Sequence, residues 1–139
     1  MADYTITVAN VLPSATGSNV RSGVAGEAIT QGEPLYVDSA DSSLKLAQAV
    51  AAKYKAVGIA TNSALTGQHV SYTQVDENFV PGGTLAVGDV LCVSATAGGI
   101  APYGDLTSGD YVCVLGVAKS TTVLDLNCSA GLRSDAAIA

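Results

Sequence analysis

The chain has one histidine, and its neighbours in sequence decide whether acid–base chemistry is expected. His69 lies in "GQHVSYTQ", where no carboxylate is close in sequence, and the chain contains no G-x-S-x-G nucleophile elbow. A general base needs a partner that orients its imidazole and a nucleophile within hydrogen-bond reach. A single histidine in a strand-like stretch is more often a surface or core residue. We therefore predict that the protein is not an enzyme.

The acidic and glycine-rich stretches match the patterns of metal and phosphate sites only in part. Asp38 and Asp41 in "VDSADSS" lack the spacing and the distal glutamate of a calcium loop, and Asp with Ser is typical of hairpin turns. Asp76 and Glu77 are neighbours, which point to opposite faces of an extended chain. The stretch "GGIAPYG", residues 98–104, has no Lys-Ser or Lys-Thr after it. We predict no metal and no cofactor.

The three cysteines lie in apolar, strand-like surroundings. Cys92, Cys113 and Cys128 occur in "VLCVS", "YVCVL" and "LDLNC", and no two of them form a C-x-x-C motif. Free cysteine is among the most frequently buried residue types. We predict that all three are buried thiols that pack a sheet.

Charge and composition indicate which kinds of partner the protein surface binds. The net charge is -6, and the six basic residues are scattered, so no basic patch for nucleic acid is expected. Only 13% of the residues are charged, against about 25% in a typical soluble domain, which suggests that other subunits or partners cover part of the surface. Asp3 stands where a signal peptide needs basic residues, and no apolar run approaches membrane-spanning length. We therefore expect synthesis in a cytoplasm and no membrane partner.

Short β-rich segments separated by turn residues predict an all-β fold, a small sandwich or barrel, with a jelly roll and a duplicated barrel both open. "YTITVA", residues 4–9, alternates as a half-buried strand does. Residues 10–25 have no apolar period and are interpreted as an extended arm. The predicted organisation is an N-terminal strand and arm (1–25), a β domain (26–128) and a flexible tail (129–139). At most one short helical turn is expected, within residues 48–54.

One pattern occurs twice in the chain. Aligned at an offset of 56, residues 29–39 match 85–95 at five of eleven positions, including Gly32/Gly88, Leu35/Leu91 and Val37/Val93. "VGIA" at 57–60 then matches "LGVA" at 115–118 at an offset of 58. The first glycine of each copy suits a positive φ at a tight turn, and the second suits a bulge or a close backbone approach. Two such units could face each other with pseudo-twofold symmetry; chance similarity in an Ala-, Gly- and Val-rich chain is the alternative.

The segments "GVAGEAITQGEPLYVD", "AVGIATNSALTGQHVSY" and "LAVGDVLCVSATAGGIAPYGDLTSGDYVCVLGVAKSTTVLDLN" together resemble a family of small capsid decoration, or cement, proteins of tailed bacteriophages. The resemblance runs from about Gly23 to Asn127 and lies in the pattern of strands and turns. It implies a β-rich homo-oligomer on the outer capsid surface of the virion that locks neighbouring major capsid proteins together. It brings no functional residue to carry over, because such proteins act by surface complementarity.

The N-terminal strand and arm are the predicted contact elements, acting through edge-strand pairing within a homodimer or homotrimer. The candidate capsid or subunit contacts are Tyr4, Ile6, Val8, Leu12, Pro13 and Arg21. Deletion of residues 1–22 is expected to abolish particle binding and to leave the β domain folded.

Two other functions fit a β-rich chain. A receptor-binding or head-fibre module is one, although six Tyr, one Phe and no Trp are few aromatics for such a surface. A biotinyl or lipoyl carrier domain is the other. Carrier domains need a lysine at the tip of a tight turn, and the turns "DSADSS" and "SATAGG" contain none.

Overall fold

The computed structural model describes residues 3–4, 6–7, 11–13 and 19–128, and that part of the chain is all-β, as predicted. The elements in chain order are β1 (Asn19–Val24), β2 (Pro34–Val37), β3 (Leu44–Leu46), β4 (Ala56–Ala60), β5 (His69–Phe79), β6 (Val90–Val93), β7 (Ile100–Pro102), a 3-10 turn (Tyr103–Asp105), β8 (Val114–Ala118) and β9 (Leu124–Asn127). Within the same residues, no helix has the length and apolarity needed to cross a membrane.

The strands form one antiparallel sheet that curls into a half-barrel. Their order is β3-β2-β4-β5-β9-β8-β6-β7, and β1 pairs with β5 outside this path. Read from the other end, the order is β7-β6-β8-β9-β5-β4-β2-β3. The strands β2, β3, β4 and β5 therefore occupy the same places in one half of the sheet as β6, β7, β8 and β9 do in the other half. Two four-stranded units of equal topology therefore meet where β5 pairs with β9. The sequence repeat predicted two such units facing each other, whereas the structure joins them edge to edge in one curled sheet.

The two units share local geometry as well as strand order. Gly32 and Gly88 both have positive φ, +97° and +87°. Gly32 donates its N–H to the carbonyl of Ala60 at 2.8 Å, and Gly88 does the same to Ala118 at 2.9 Å. Because Ala60 and Ala118 are separated by the offset of 58 that aligns the copies, the same turn closes on the same strand in each unit.

The second glycine of each copy stands where two strands approach closely. Gly58 pairs with Leu35 and Gly116 pairs with Leu91, and the register shifts directly after both leucines. A Cβ on Gly58 would come within 3.0 Å of the Thr73 carbonyl oxygen, and a Cβ on Gly116 would clash with the next strand in the same way. The predicted bulge and close approach are therefore both present.

β5 connects the units and also carries β1. Tyr72 and Thr73 each pair with both β1 and β4, so these two strands lie on opposite sides of β5. β9 also lies opposite β4 in the sheet order. β9 and β1 therefore follow one another along the same side of β5, and they meet at Val75, which pairs with Asn127 and with Asn19.

The buried apolar residues of the sheet form two clusters. The smaller cluster belongs to the first unit and consists of Ala25, Ile29, Leu35, Leu44, Ala60, Ala64 and Val70. The larger cluster combines residues of both units, among them Tyr36, Ile59, Phe79, Leu91, Leu115 and Leu126. The three cysteines are buried, with at most 2% of any of them exposed, as the sequence predicted.

The structure differs from the sequence-based predictions at three places. Tyr4, Ile6 and Thr7 are not in a strand, although Tyr4 and Ile6 do pack against the larger cluster; the other residues of 4–9 lie outside the described residues. Asn19–Val24, assigned to the extended arm, forms β1 because β5 extends far enough to pair with it. Residues 48–54 contain a hydrogen-bonded turn, closed by Lys53 N–H to Val50 O, and the 3-10 turn falls at Tyr103–Asp105 instead.

The packing of the N-terminal residues changes the effect expected from deleting residues 1–22. Tyr4 and Ile6 are half-buried against the larger cluster, and Val11 belongs to that cluster with 5% of its surface exposed. Removing residues 1–22 would uncover this apolar surface and also remove most of β1. The tail assigned to 129–139 lies outside the described residues, and the predicted domain boundaries stay predictions.

Candidate contact surface

The described residues of the N-terminal region pair with β5 at two places. Leu12 exchanges backbone hydrogen bonds with Val80, directly after the end of β5, and β1 pairs with β5 from Val75 to His69. We call residues 11–13 together with β1 the N-terminal edge. Among the residues that the structure describes, β1 pairs along its length only with β5. Directly after β1, Ala25 forms a parallel bridge to Leu44 of β3, and Gly26 donates its N–H to the Leu44 carbonyl at 2.8 Å. The outer side of β1 is therefore open only ahead of Val24.

The hydrogen-bond register shows which backbone groups of β1 face outward. Ser71 accepts a hydrogen bond from the Thr61 N–H on the β4 side of β5, so the backbone of Ser71 points away from β1. Its partner Ser22 is therefore in a non-hydrogen-bonded pair, because such pairs alternate with hydrogen-bonded ones. The N–H and C=O groups of Val20, Ser22 and Val24 face away from β5.

The side chains of the N-terminal edge are apolar and exposed in several places. Leu12 is 61% exposed, Val20 53% and Val24 49%. Arg21 is also exposed and forms no ion pair in the described part of the chain. An open strand edge with exposed apolar side chains is a template for pairing with another chain, so the N-terminal edge is a candidate contact surface.

The predicted contact residues separate into two groups. Leu12, Pro13 and Arg21 lie on the N-terminal edge, and their role as contacts stays a prediction. Tyr4 instead attaches the start of the chain to the second unit, and Ile6 packs against the larger cluster. Val8 lies outside the described residues. Val20 and Val24 were missed because the polar residues around them obscure the strand period.

Tyr4 is held on the second unit by two specific hydrogen bonds. Its N–H donates to the carbonyl of Ile100 at 2.9 Å, and its hydroxyl donates to Oδ2 of Asp89 at 2.6 Å. Burial, followed by the hydrogen bond and negative charge of Asp89, raises the pKa of Tyr4 to about 12. Next to it, the Ser94 hydroxyl hydrogen-bonds to the Asp3 carboxylate at 2.7 Å. These contacts span more than eighty residues of sequence, and no local pattern indicates them.

The residues considered for chemistry are separated in the fold. His69 is exposed at the start of β5 and pairs with Val24. Asp38 bonds to Lys45, which lowers the pKa of that carboxyl group, as a hairpin-turn role predicts. Asp76 is buried and Glu77 is exposed, on opposite faces. Within residues 3–4, 6–7, 11–13 and 19–128, no three His, Cys, Asp or Glu side chains are grouped as metal ligands.

Burial also determines the protonation state of the Cys92 thiol. Burial raises the pKa of Cys92 to about 12, with a smaller contribution from Cys113. Since the thiolate is the reactive form, Cys92 is a protonated packing residue at neutral pH.

Comparison of the sequence with protein-family models and with curated proteins finds no match.

Proposed function

We propose that the protein is a structural virion protein that decorates the outer surface of a bacteriophage capsid and cements neighbouring major capsid proteins. The proposal starts from the sequence resemblance. The observation that supports it best is the N-terminal edge, where an open strand edge and exposed Leu12, Val20 and Val24 occur on a chain with few charges. Such a surface suits a protein whose role is to be covered by others.

Binding on a shell would combine two effects. Strand addition at an open edge gives main-chain hydrogen bonds for affinity, and the flanking side chains give specificity. Many copies on one closed lattice then add avidity, so each interface can be modest. The net charge of -6 is compatible with the outer face of a shell, away from packaged DNA.

The test is co-sedimentation of the purified protein with mature and with unexpanded heads of the phage that encodes it. Saturation at a simple ratio of copies per capsid subunit on mature heads is expected. Absence of binding to both kinds of head would reject the proposal, and binding on a glycan array would then favour a receptor-binding or head-fibre module.

A matched pair of variants tests the surface. Leu12 and Leu65 are exposed to similar extents, 61% and 63%, but Leu65 lies in the hairpin before β5, at the opposite end of that strand from Leu12. Leu12→Ser is expected to weaken head binding by about tenfold or more, since burying a leucine contributes roughly 1.5–3 kcal/mol. Leu65→Ser is expected to bind as the wild type does. Equal loss in both variants would reject the N-terminal edge as the contact.

A further inference from the structure

The turn after β6 in the second unit holds a short chain segment that belongs to the first unit. Ala49 donates its N–H to the carbonyl of Ser94 at 2.9 Å, and Gly98 donates its N–H to the carbonyl of Ala47 at 2.9 Å. Val93, the last residue of β6, is fully buried. The second unit therefore shows a segment of small residues docked on this kind of turn.

The matching turn after β2 in the first unit carries no such segment among the described residues. At the offset of 56, Asp38 corresponds to Ser94 and Ser42 to Gly98, and both Ser42 and Gly98 have positive φ, +61° and +77°. Ser42 donates its N–H to the Asp38 carbonyl at 2.7 Å, so the two backbone groups that hold the segment in the second unit bond to each other here. Val37 is left 44% exposed. A chain that docks beside this turn must therefore be held by side chains.

A groove of about 480 Å³ lies beside this turn, between the end of β2 and the loop that precedes β4. Val37 and the two alanines at residues 51–52 supply apolar walls, and Lys53 and Lys55 supply basic ones. All of these side chains are exposed. We call this feature the lysine groove.

The lysine groove is a basic place on an acidic chain. Residues 42–75 contain three lysines and no Asp or Glu, although the net charge of the whole chain is -6. Lys45 pairs with the carboxylates of the turn after β2, among them Asp38, which also lines the groove. Lys53 and Lys55 form no ion pair in the described part of the chain. Their charges are therefore available to carboxylates of a partner.

The two unpaired lysines are positioned by the loop that carries them. Lys53 donates its backbone N–H to the carbonyl of Val50 at 3.0 Å, which closes a turn. The Nζ atom of Lys55 lies 5.8 Å from the centre of the buried Tyr54 ring, within the range of a cation–π contact. Groups that are held in place before binding lose less conformational entropy when a partner arrives.

We infer that the lysine groove is a docking site for an extended acidic segment of another protein. Carboxylates of the segment bind Lys53 and Lys55, and its apolar side chains pack on Val37. Complementary charge selects the partner, and the segment on the second unit shows that small residues fit beside a turn of this kind. Exposed ion pairs are individually weak, so one isolated segment binds with a Kd of about 1 mM.

The inference goes beyond the proposed function, which assigns the contact to the N-terminal edge. It rests on that function only for the source of the segment, which is the protein shell. A second, weaker contact on each copy would add to the avidity of many copies on one lattice.

An NMR titration with a synthetic peptide tests the groove on the protein alone. The probe is an eight-residue peptide of alternating Ala and Glu, and the same peptide with Lys in place of Glu is the control. At low salt, the acidic peptide is expected to shift the amide resonances of Val37, Lys53 and Lys55 and to leave that of Val20 in place. The shifts should decrease as salt screens the charges, and the basic peptide should cause none of them.

Two double variants of equal net charge separate the groove from the charge of the whole chain. Lys53→Gln with Lys55→Gln changes the groove, and Arg21→Gln with Lys119→Gln is the control; each pair lowers the net charge from -6 to -8. All four side chains are exposed, so both variants are expected to fold. The groove variant is expected to bind the acidic peptide about fivefold more weakly or worse, and the control is expected to bind within about twofold of the wild type.

Val37→Ser tests whether the groove takes a chain segment or only negative charge. It is expected to weaken peptide binding by about threefold, because a docked segment covers this valine. Unchanged affinity in Val37→Ser, or equal shifts with inorganic phosphate in place of the peptide, would overturn the inference. Absence of shifts near the groove at about 10 mM peptide, or equal weakening in the two double variants, would overturn it as well.

Failure of the groove and failure of the proposed function are distinguishable. The peptide experiments need no phage particle, whereas the proposed function depends on binding to phage heads. Head binding by a protein that ignores the acidic peptide would retain the decoration role and reject the groove. Peptide binding by a protein that binds no head would retain the groove and reject the decoration role.

Discussion

At the scale of single residues, the largest constraints lie where backbones approach each other. Gly58 and Gly116 each leave no room for a Cβ, because the carbonyl oxygen of the next strand occupies that space. The need for glycine could be inferred from its place inside an apolar strand. The atoms that cause the need, the carbonyls of Thr73 and Asp125, could not, because the pairing of those strands is not local.

Tyr4 yields a prediction about alkaline pH. Its pKa is about 12 in the folded protein, against 10.0 for an ordinary tyrosine, so the unfolded chain loses this proton first as the pH rises. The stabilisation is complete below about pH 10 and is lost between pH 10 and 12. We expect Tyr4→Phe to lower the free energy of unfolding at pH 7 by about 1 kcal/mol, with a smaller further loss than the wild type above pH 10.

Urea unfolding at a series of pH values measures this difference. Tyr103→Phe is the control, since Tyr103 is exposed and its hydroxyl has no hydrogen-bond partner within the described residues. Parallel stability curves for the wild type and Tyr4→Phe from pH 9 to 12 would contradict the assigned role of the Asp89 contact.

At the scale of elements, β1 is bonded along its length only to β5, and its other side meets β3 only at its C-terminal end, next to Ala25. Arg21 and Gly23 point their backbone groups toward β5, whereas Val20, Ser22 and Val24 point theirs outward, as the alternation of an antiparallel ladder requires. The sequence of this segment is polar and glycine-containing, so strand propensity alone favours an arm. Its pairing with β5 overrides that preference.

Amide hydrogen exchange should reveal the alternation. In dilute solution we expect slow exchange at Arg21 and Gly23 and fast exchange at Val20, Ser22 and Val24, because only the first two amides donate to β5. Residue-resolved NMR exchange at low and high protein concentration is the measurement. Uniform protection along β1 in dilute solution would contradict the open edge.

At the scale of the whole molecule, the two units are joined too extensively to unfold separately. β5 of the first unit pairs with β9 of the second. The larger apolar cluster contains Ile59 and Tyr36 from the first unit with Leu91 and Leu115 from the second. We therefore expect one cooperative thermal transition, with equal calorimetric and van't Hoff enthalpies.

Two substitutions test this expectation in calorimetry. Val70 belongs to the smaller cluster and Leu126 to the larger one, and both are fully buried. Val70→Ala and Leu126→Ala should each lower the midpoint of the same single transition, the second by more, because leucine truncation costs about 2–5 kcal/mol. Two separate transitions in either variant would show that the units are independent.

The sequence by itself determined the features that depend on near neighbours in the chain. The positive φ at Gly32 and Gly88, the β-rich segments, the buried cysteines and the repeat follow from turn chemistry and from the period of apolar residues, which act over a few positions. The same local signals failed at Tyr4, Ile6 and Thr7 and within residues 48–54, where contacts with distant parts of the chain decide the conformation.

Equivalent positions in the two copies of the repeat differ in burial, and only the tertiary structure decided which of them are buried. Val37 and Val93 are the same residue at the same place in the two copies, yet Val37 is 44% exposed and Val93 is fully buried. The loop after β3 bonds to the turn after β6, with Ala49 N–H donating to Ser94 O at 2.9 Å, and the turn after β2 has no corresponding contact among the described residues. Burial depends on which distant segment arrives at a site, and the local sequence of that site carries no record of it.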